Sequence, residues 1–191
     1  MAKYKLGLLL VLLLAFTACE RPAPPATADA TGSYNLTLYL QEQKARMQAK
    51  KPMVLKSVTT EGQPTETVET DDIDWQDELS VFEQLDLRRP ALEEYYLKQE
   101  KVLENGDIAV EYKKREDSEP IVHYLFLTLS PDRKLKHLAA TLQDKNPLFY
   151  SYRRVYLEAE PATGNISSYS IEGVQKLIFN DSLHYAVKAN L

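Results

Sequence analysis

The chain has 191 residues, a formal net charge of −5, 44% hydrophobic and 27% charged residues, an ordinary globular composition that excludes wholesale disorder and a polytopic membrane protein. Six glycines exclude collagen-like or glycine-rich repeats. Taking the first 18 residues as an export signal leaves 173, enough for one domain with a sizeable core, and removes Lys3 and Lys5 so that 21 basic face 28 acidic residues. An acidic balance of this kind argues against nucleic acid as a partner, which needs a basic footprint.

Lys3 and Lys5 precede an unbroken apolar run from Leu6 to Phe16. Its 11 residues are signal-peptide length; a spanning helix needs about 20. The run ends in Phe16-Thr17-Ala18-Cys19, which resembles the lipobox of bacterial lipoproteins. That resemblance implies that Cys19 becomes the new N-terminus and carries a diacylglyceryl group, with a further palmitate-like chain on its amine. Two or more chains, each contributing about 0.8 kcal/mol per buried CH₂, hold a protein at a bilayer where a single chain does not. Cys19 is also the only cysteine, so no thiol remains for a disulfide, a cysteine-rich zinc site or a cysteine nucleophile. Residues 20–33, rich in Pro, Ala and Thr, read as a flexible tether. Residues 34–191 are expected to form the single domain, lipid-anchored at the cell membrane or outer membrane and facing the periplasm or the cell exterior.

In chain order, Ser33 is placed to cap a first helix whose buried stripe is Leu36, Tyr39, Leu40, Gln43 and Met47, ending at Lys50 and Lys51 before Pro52. Val54–Thr60 and Thr65–Thr70 pair as a hairpin around Glu61-Gly62-Gln63-Pro64. Asp71, Asp72 and Asp74 open a second helix with the stripe Trp75, Leu79, Phe82 and Leu85, closed by Arg88 and Arg89 before Pro90. Acids at the start and bases at the end suit the helix dipole, so the acidic cluster is a cap rather than a calcium site.

From Tyr95 the period becomes two, with turn residues about every ten positions. Asn105-Gly106 signals a two-residue hairpin turn between Tyr95–Leu103 and Ile108–Lys114. Strands follow over Ile121–Leu129, Leu135–Gln143, Leu148–Glu158, Ile166–Phe179 and Leu183–Leu191, with a bulge or bend expected at Gly173. With the first hairpin this makes about nine strands, too many for a flat open sheet, so the expected class is α+β: a strongly curved antiparallel meander with two helices on it. Val122, Tyr124 and Phe126 are set on one face of their strand and Leu125, Leu127 and Leu129 on the other, which reads as a sheet centre covered on both faces. Tyr150, Tyr152, Arg154 and Tyr156 share a face opposite Phe149, Val155 and Leu157, an aromatic but polar-tipped surface.

This element order, together with the lipobox, resembles the LolA/LolB-type lipoprotein half-barrel. The segment Tyr169-Ser170-Ile171-Glu172-Gly173-Val174-Gln175-Lys176 is similar in style to uncharacterised lipoproteins of the Bacteroidota. The half-barrel resemblance implies an apolar cavity that holds acyl chains; it implies no specific binding residue here.

The three histidines give no metal site on this reading: if Leu129 and Lys134 frame the hairpin mouth, His137 stands opposite Phe126, three residues or about 10 Å from His123. No nucleophile elbow, P-loop, dinucleotide-binding glycine pattern or His-Glu-x-x-His occurs. The chain is therefore expected to be non-enzymatic and to need no cofactor or metal. Tyr124, Tyr150, Tyr152 and Tyr156 are the candidate ligand-binding residues, for an apolar or amphipathic ligand or a lipid. The alternative is an accessory lipoprotein that binds another envelope protein.

Overall fold

Asn35 starts the first helix: its side chain accepts the Leu38 N–H at 3.0 Å, capping α1 (Leu36–Lys50), and Lys51 closes it in the left-handed region with its N–H on Met47 O. The computed structural model describes residues 34–179 and 181–191. The expectations of an export signal, a lipidated Cys19 and a Ser33 cap fall on residues outside the described ones, and among the described residues the cap is Asn35. The stripe expected from spacing is the buried one, Leu36, Tyr39, Leu40, Gln43 and Met47, with Lys44 added to it.

β1 (Val54–Thr60) and β2 (Glu66–Thr70) form the expected hairpin. The expected second helix divides instead into two single turns, α2 (Trp75–Glu78) and α3 (Ser80–Glu83). Asp74 caps the first through Gln76 N–H and Asp77 N–H. Leu79 then leaves helical geometry, and the Ser80 hydroxyl donates to Asp77 O at 2.7 Å, a local bond that competes with the helix ladder. Trp75, Leu79, Phe82 and Leu85 remain fully buried, each contributing roughly 1.5–3 kcal/mol by burial. Arg88 and Arg89 do not end a helix; they lie in a link to another single turn, α4 (Pro90–Glu93), where proline occupies the first turn. Among the described residues, one long helix and three single turns replace the two helices expected.

The remaining strands run β3 (Tyr96–Val102), β4 (Ile108–Lys114), β5 (Val122–Leu129), β6 (Leu135–Asn146), β7 (Phe149–Ala159), β8 (Ile166–Leu177) and β9 (Leu183–Asn190). They pair antiparallel in the order β2-β1-β9-β8-β7-β6-β5-β4-β3, a single unclosed sheet of nine strands. Gly106 alone takes positive φ at the β3–β4 turn, and Leu103 N–H donates to Asp107 O. The loop is therefore three residues long rather than the two-residue turn expected, since that turn needs positive φ at Asn105 too.

The helices pack on one face. Val110, Tyr112, Leu125, Leu127, Leu129, Leu138, Leu142, Val155, Leu157 and Tyr169 join Leu40, Trp75, Leu79 and Phe82 in one core. Gln43 ties α1 to the sheet, accepting Ile166 N–H at 3.1 Å, and Phe82 meets the Tyr169 ring edge-on. Contrary to expectation, no helix among the described residues covers the other face, and its central residues are only half-buried. Val122 also changes sides: a register shift between Val122 and Tyr124 turns it into the core with the leucines. Gly173 makes no bulge; it pairs in regular register with Arg153 and Tyr185, and shifts occur instead in β5–β6 and between Glu158 and Ala159.

Candidate functional site

The four tyrosines singled out from the sequence all lie on the helix-free face. Tyr124 sits in a cross-strand row with Lys113, Thr141, Arg154 and Glu172, and Tyr156 in the next row with Ala139 and Ser170. Tyr152 lies between Gln143 and Val174, and Tyr150 between Lys145 and Lys176. The Tyr124 hydroxyl donates to Glu111 at 2.9 Å, and burial, then this carboxylate, hold its pKa above the usual value. Of the four, Tyr152 lines a cavity of about 480 Å³, together with Thr59, Arg154, Glu172 and His184. The structure thus gathers the four on one surface but not into one pocket.

A larger concavity lies on the helix side, where the sequence carries no motif. It measures about 740 Å³, within the usual range for ligand sites, and is walled by the stretch after α3, the α4 link and the β4–β5 connection. Leu87, Tyr96 and Val122 form its buried floor; Tyr95 and Ile121, 39% and 49% exposed, border its mouth. The Tyr96 hydroxyl donates to Val122 O at 2.9 Å and so is satisfied without a ligand; burial pushes its pKa up to about 12.

Local chemistry fixes these walls. The Arg88 guanidinium forks onto Asp86 at 2.9 and 2.8 Å while the Arg88 N–H donates to the same carboxylate at 3.2 Å, closing the chain on itself. The Thr37 hydroxyl donates to Asp86 from α1, pinning the turn to the long helix. Burial would raise the Asp86 pKa, but the bonds from Arg88 and Thr37 outweigh it and hold the carboxyl below its usual range. On the facing wall, the Arg115 N–H and the Ser118 hydroxyl both donate to Tyr95 O, at 2.8 and 3.2 Å.

Among the described side chains, three carboxylates stand around this cavity, each with its own cation. Glu83 meets the buried Lys44 at 2.6 Å, Asp86 meets Arg88, and Glu119 meets Lys114 at 3.0 Å and His123 at 3.7 Å. Lys114 is the main cause of a lowered Glu119 pKa. Burial and Lys114 depress the His123 pKa, with Glu119 opposing them. Arg89, exposed at the rim, has no ion-pair partner among the described side chains.

A third concavity, about 840 Å³, is at the other end of the strands and is built of ion pairs already matched: Lys136 with Asp107 and His137 with Glu158, both at 2.6 Å. The β5–β6 register puts His137 opposite Thr128, not Phe126, because Leu129 pairs with Leu135 rather than Lys134 and the strand slips by one further residue between Leu129 and Thr128; its ring lies tilted against Phe126. His184 lies elsewhere, 3.9 Å from Glu61. Among the described residues no three His, Cys, Asp or Glu side chains converge as metal ligands, and no helix is long and apolar enough to cross a membrane. No protein-family model, curated protein or solved structure matches the chain.

Proposed function

We propose that this chain is a lipid-anchored, non-enzymatic protein of the cell envelope that holds an apolar or amphipathic ligand on the helix side of a curved, half-barrel sheet. The observation that carries the reading is the cavity between Leu87, Tyr96 and Val122: an apolar, buried floor beneath a charged rim suits a molecule with one apolar and one polar end. The anchor is the acylated Cys19, which would keep the domain beside the bilayer from which such a ligand comes, at the cell membrane or the outer membrane.

Native mass spectrometry of the full chain purified from membranes tests this. An apolar molecule should stay with the wild-type protein and be lost from Ile121→Asp, which puts a charge at the cavity mouth where the residue is half exposed. The same spectra report the mass of the acyl chains on Cys19. Repeated preparations with no retained molecule would count against ligand carriage.

A second reading, an accessory lipoprotein docked on another envelope protein, is favoured by a different surface. Leu148, Leu177, Ile178 and Leu183 are about half exposed or more, and Phe179 is 93% exposed, all around the β6–β7 and β8–β9 turns, where the Ile178 N–H donates to Leu148 O. Isolated exposed apolar residues are ordinary; a cluster of five is a contact candidate. Crosslinking from position 179 in intact cells to one defined protein, with the helix-side cavity empty, would favour this second reading.

A further inference from the structure

We infer that the helix-side cavity takes an amphiphile whose headgroup is anionic, a carboxylate or a phosphate, and that Arg89 is its counter-charge. The inference rests on the ligand-binding reading above and adds the chemistry of the headgroup.

The charge inventory of the rim carries it. Glu83, Asp86 and Glu119 would by themselves attract a cationic headgroup, yet each is already matched by a cation the fold supplies. Lys44 reaches Glu83 from α1, where it is buried and also donates to Gln76 O and Oε1 at 3.3 Å. Arg88 closes on Asp86 through two parallel bonds, the strongest geometry for this pair. Lys114 holds Glu119 and also donates to Ser118 O at 3.0 Å. A cationic ligand would have to break one of these pairs. A neutral one would leave Arg89 as the rim charge without a partner among the described side chains.

Arg89 differs from these residues in position as well as charge. It stands at the start of the α4 link, between the floor residue Leu87 and the wall residue Leu92, and lines the cavity while remaining exposed. A guanidinium presents a planar fork of donors that matches a carboxylate or a phosphate, and beside an apolar floor such a pair is less screened than in bulk water. An apolar chain over Leu87, Tyr96 and Val122 would leave its head at this rim.

The test uses the full chain in nanodiscs and four photoreactive probes with one dodecyl chain and different heads: carboxylate, phosphate, trimethylammonium and hydroxyl. Labelled peptides are mapped by mass spectrometry. The carboxylate or phosphate probe should mark the peptides around Leu92 and Ile121 most strongly. Arg89→Gln should reduce that labelling about tenfold, the scale of one charge-assisted contact, while Arg89→Lys keeps part of it. Ile121→Asp should reduce labelling by every probe. A preference for phosphate assigns a phospholipid-type head and a preference for carboxylate a free fatty acid; either supports the inference. Equal labelling by all four probes, unchanged in Arg89→Gln, overturns the anionic head and leaves the ligand site standing. No labelling of the cavity by any probe overturns both.

Discussion

His123 sits where β5 slips by one residue, half-buried beside Lys114 and Glu119. Burial and Lys114 lower its pKa from the ordinary 6.5. Below that value the unfolded chain takes up a proton that the folded chain resists, so stability is complete above about pH 6.5 and falls as the pH drops through the window down to the lowered value. His123→Gln should therefore flatten the pH dependence of the urea midpoint between about pH 7 and about pH 5. The same loss of midpoint in the variant as in the parent would mean that other groups set it. Its charge environment is not legible in the sequence: Glu119 and Lys114 come from the preceding loop and strand, and the β4–β5 pairing, with Lys113 opposite Tyr124, brings that strand beside it. Lys44 teaches the same lesson in the opposite direction. Helical spacing marked Gln43 and Met47 as inward-facing, but a lysine is seldom buried without a partner, and its partners Gln76 and Glu83 lie far along the chain.

Among the elements, the β8–β9 pair stores the most specific packing. Gly173 lies directly across from Tyr185, and a methyl group at position 173 would come within 2.6 Å of the Tyr185 ring. The ring occupies the place of the missing side chain, as an aromatic opposite a strand glycine does. Gly173→Ala should destabilise by about 1 kcal/mol, because the displaced ring loses more than the alanine gains in strand preference. In a Tyr185→Ala background the same change should become neutral or stabilising, and a double-mutant cycle on chemical unfolding measures the difference. An equal effect in both backgrounds would remove the ring from the account. From the sequence alone this glycine reads as a bend, because a cross-strand neighbour twelve positions away is invisible to local pattern. Most strand ends were legible to within a residue or two, since turn residues and period two mark them, but β6 runs three residues past the expected Gln143 to Asn146, where cross-strand pairing with β7 overrides the local turn residues. The helix drawn from Trp75 to Arg89 was too long, because a serine side chain and an Asp86–Arg88 loop end it where periodicity continues.

For the whole molecule, the number of strands was readable and the order was not. β9 lies between β1 and β8, so the N-terminal hairpin reaches the meander only through the last strand of the chain. A chain stopped after Ser182 should accordingly lose its single cooperative urea transition; retention of an unchanged midpoint would show that β1 can find another neighbour. The two outer strands, β2 and β3, carry Glu66 and Glu69, and Lys98, Glu100 and Lys101, charges that discourage pairing with other chains. The candidate site was the least legible part. Tyrosine spacing pointed to the helix-free surface, while the cavity is assembled from three irregular connections whose meeting depends on the fold being complete.

The contact of Leu55 with Asn190 also sets a clock. A ribosome adding roughly 5–20 residues per second finishes the partner strand roughly 7 to 27 s after the first has been made. Until then β1 and β2 have no place beside the meander, while β3 to β8 already have their neighbours in chain order.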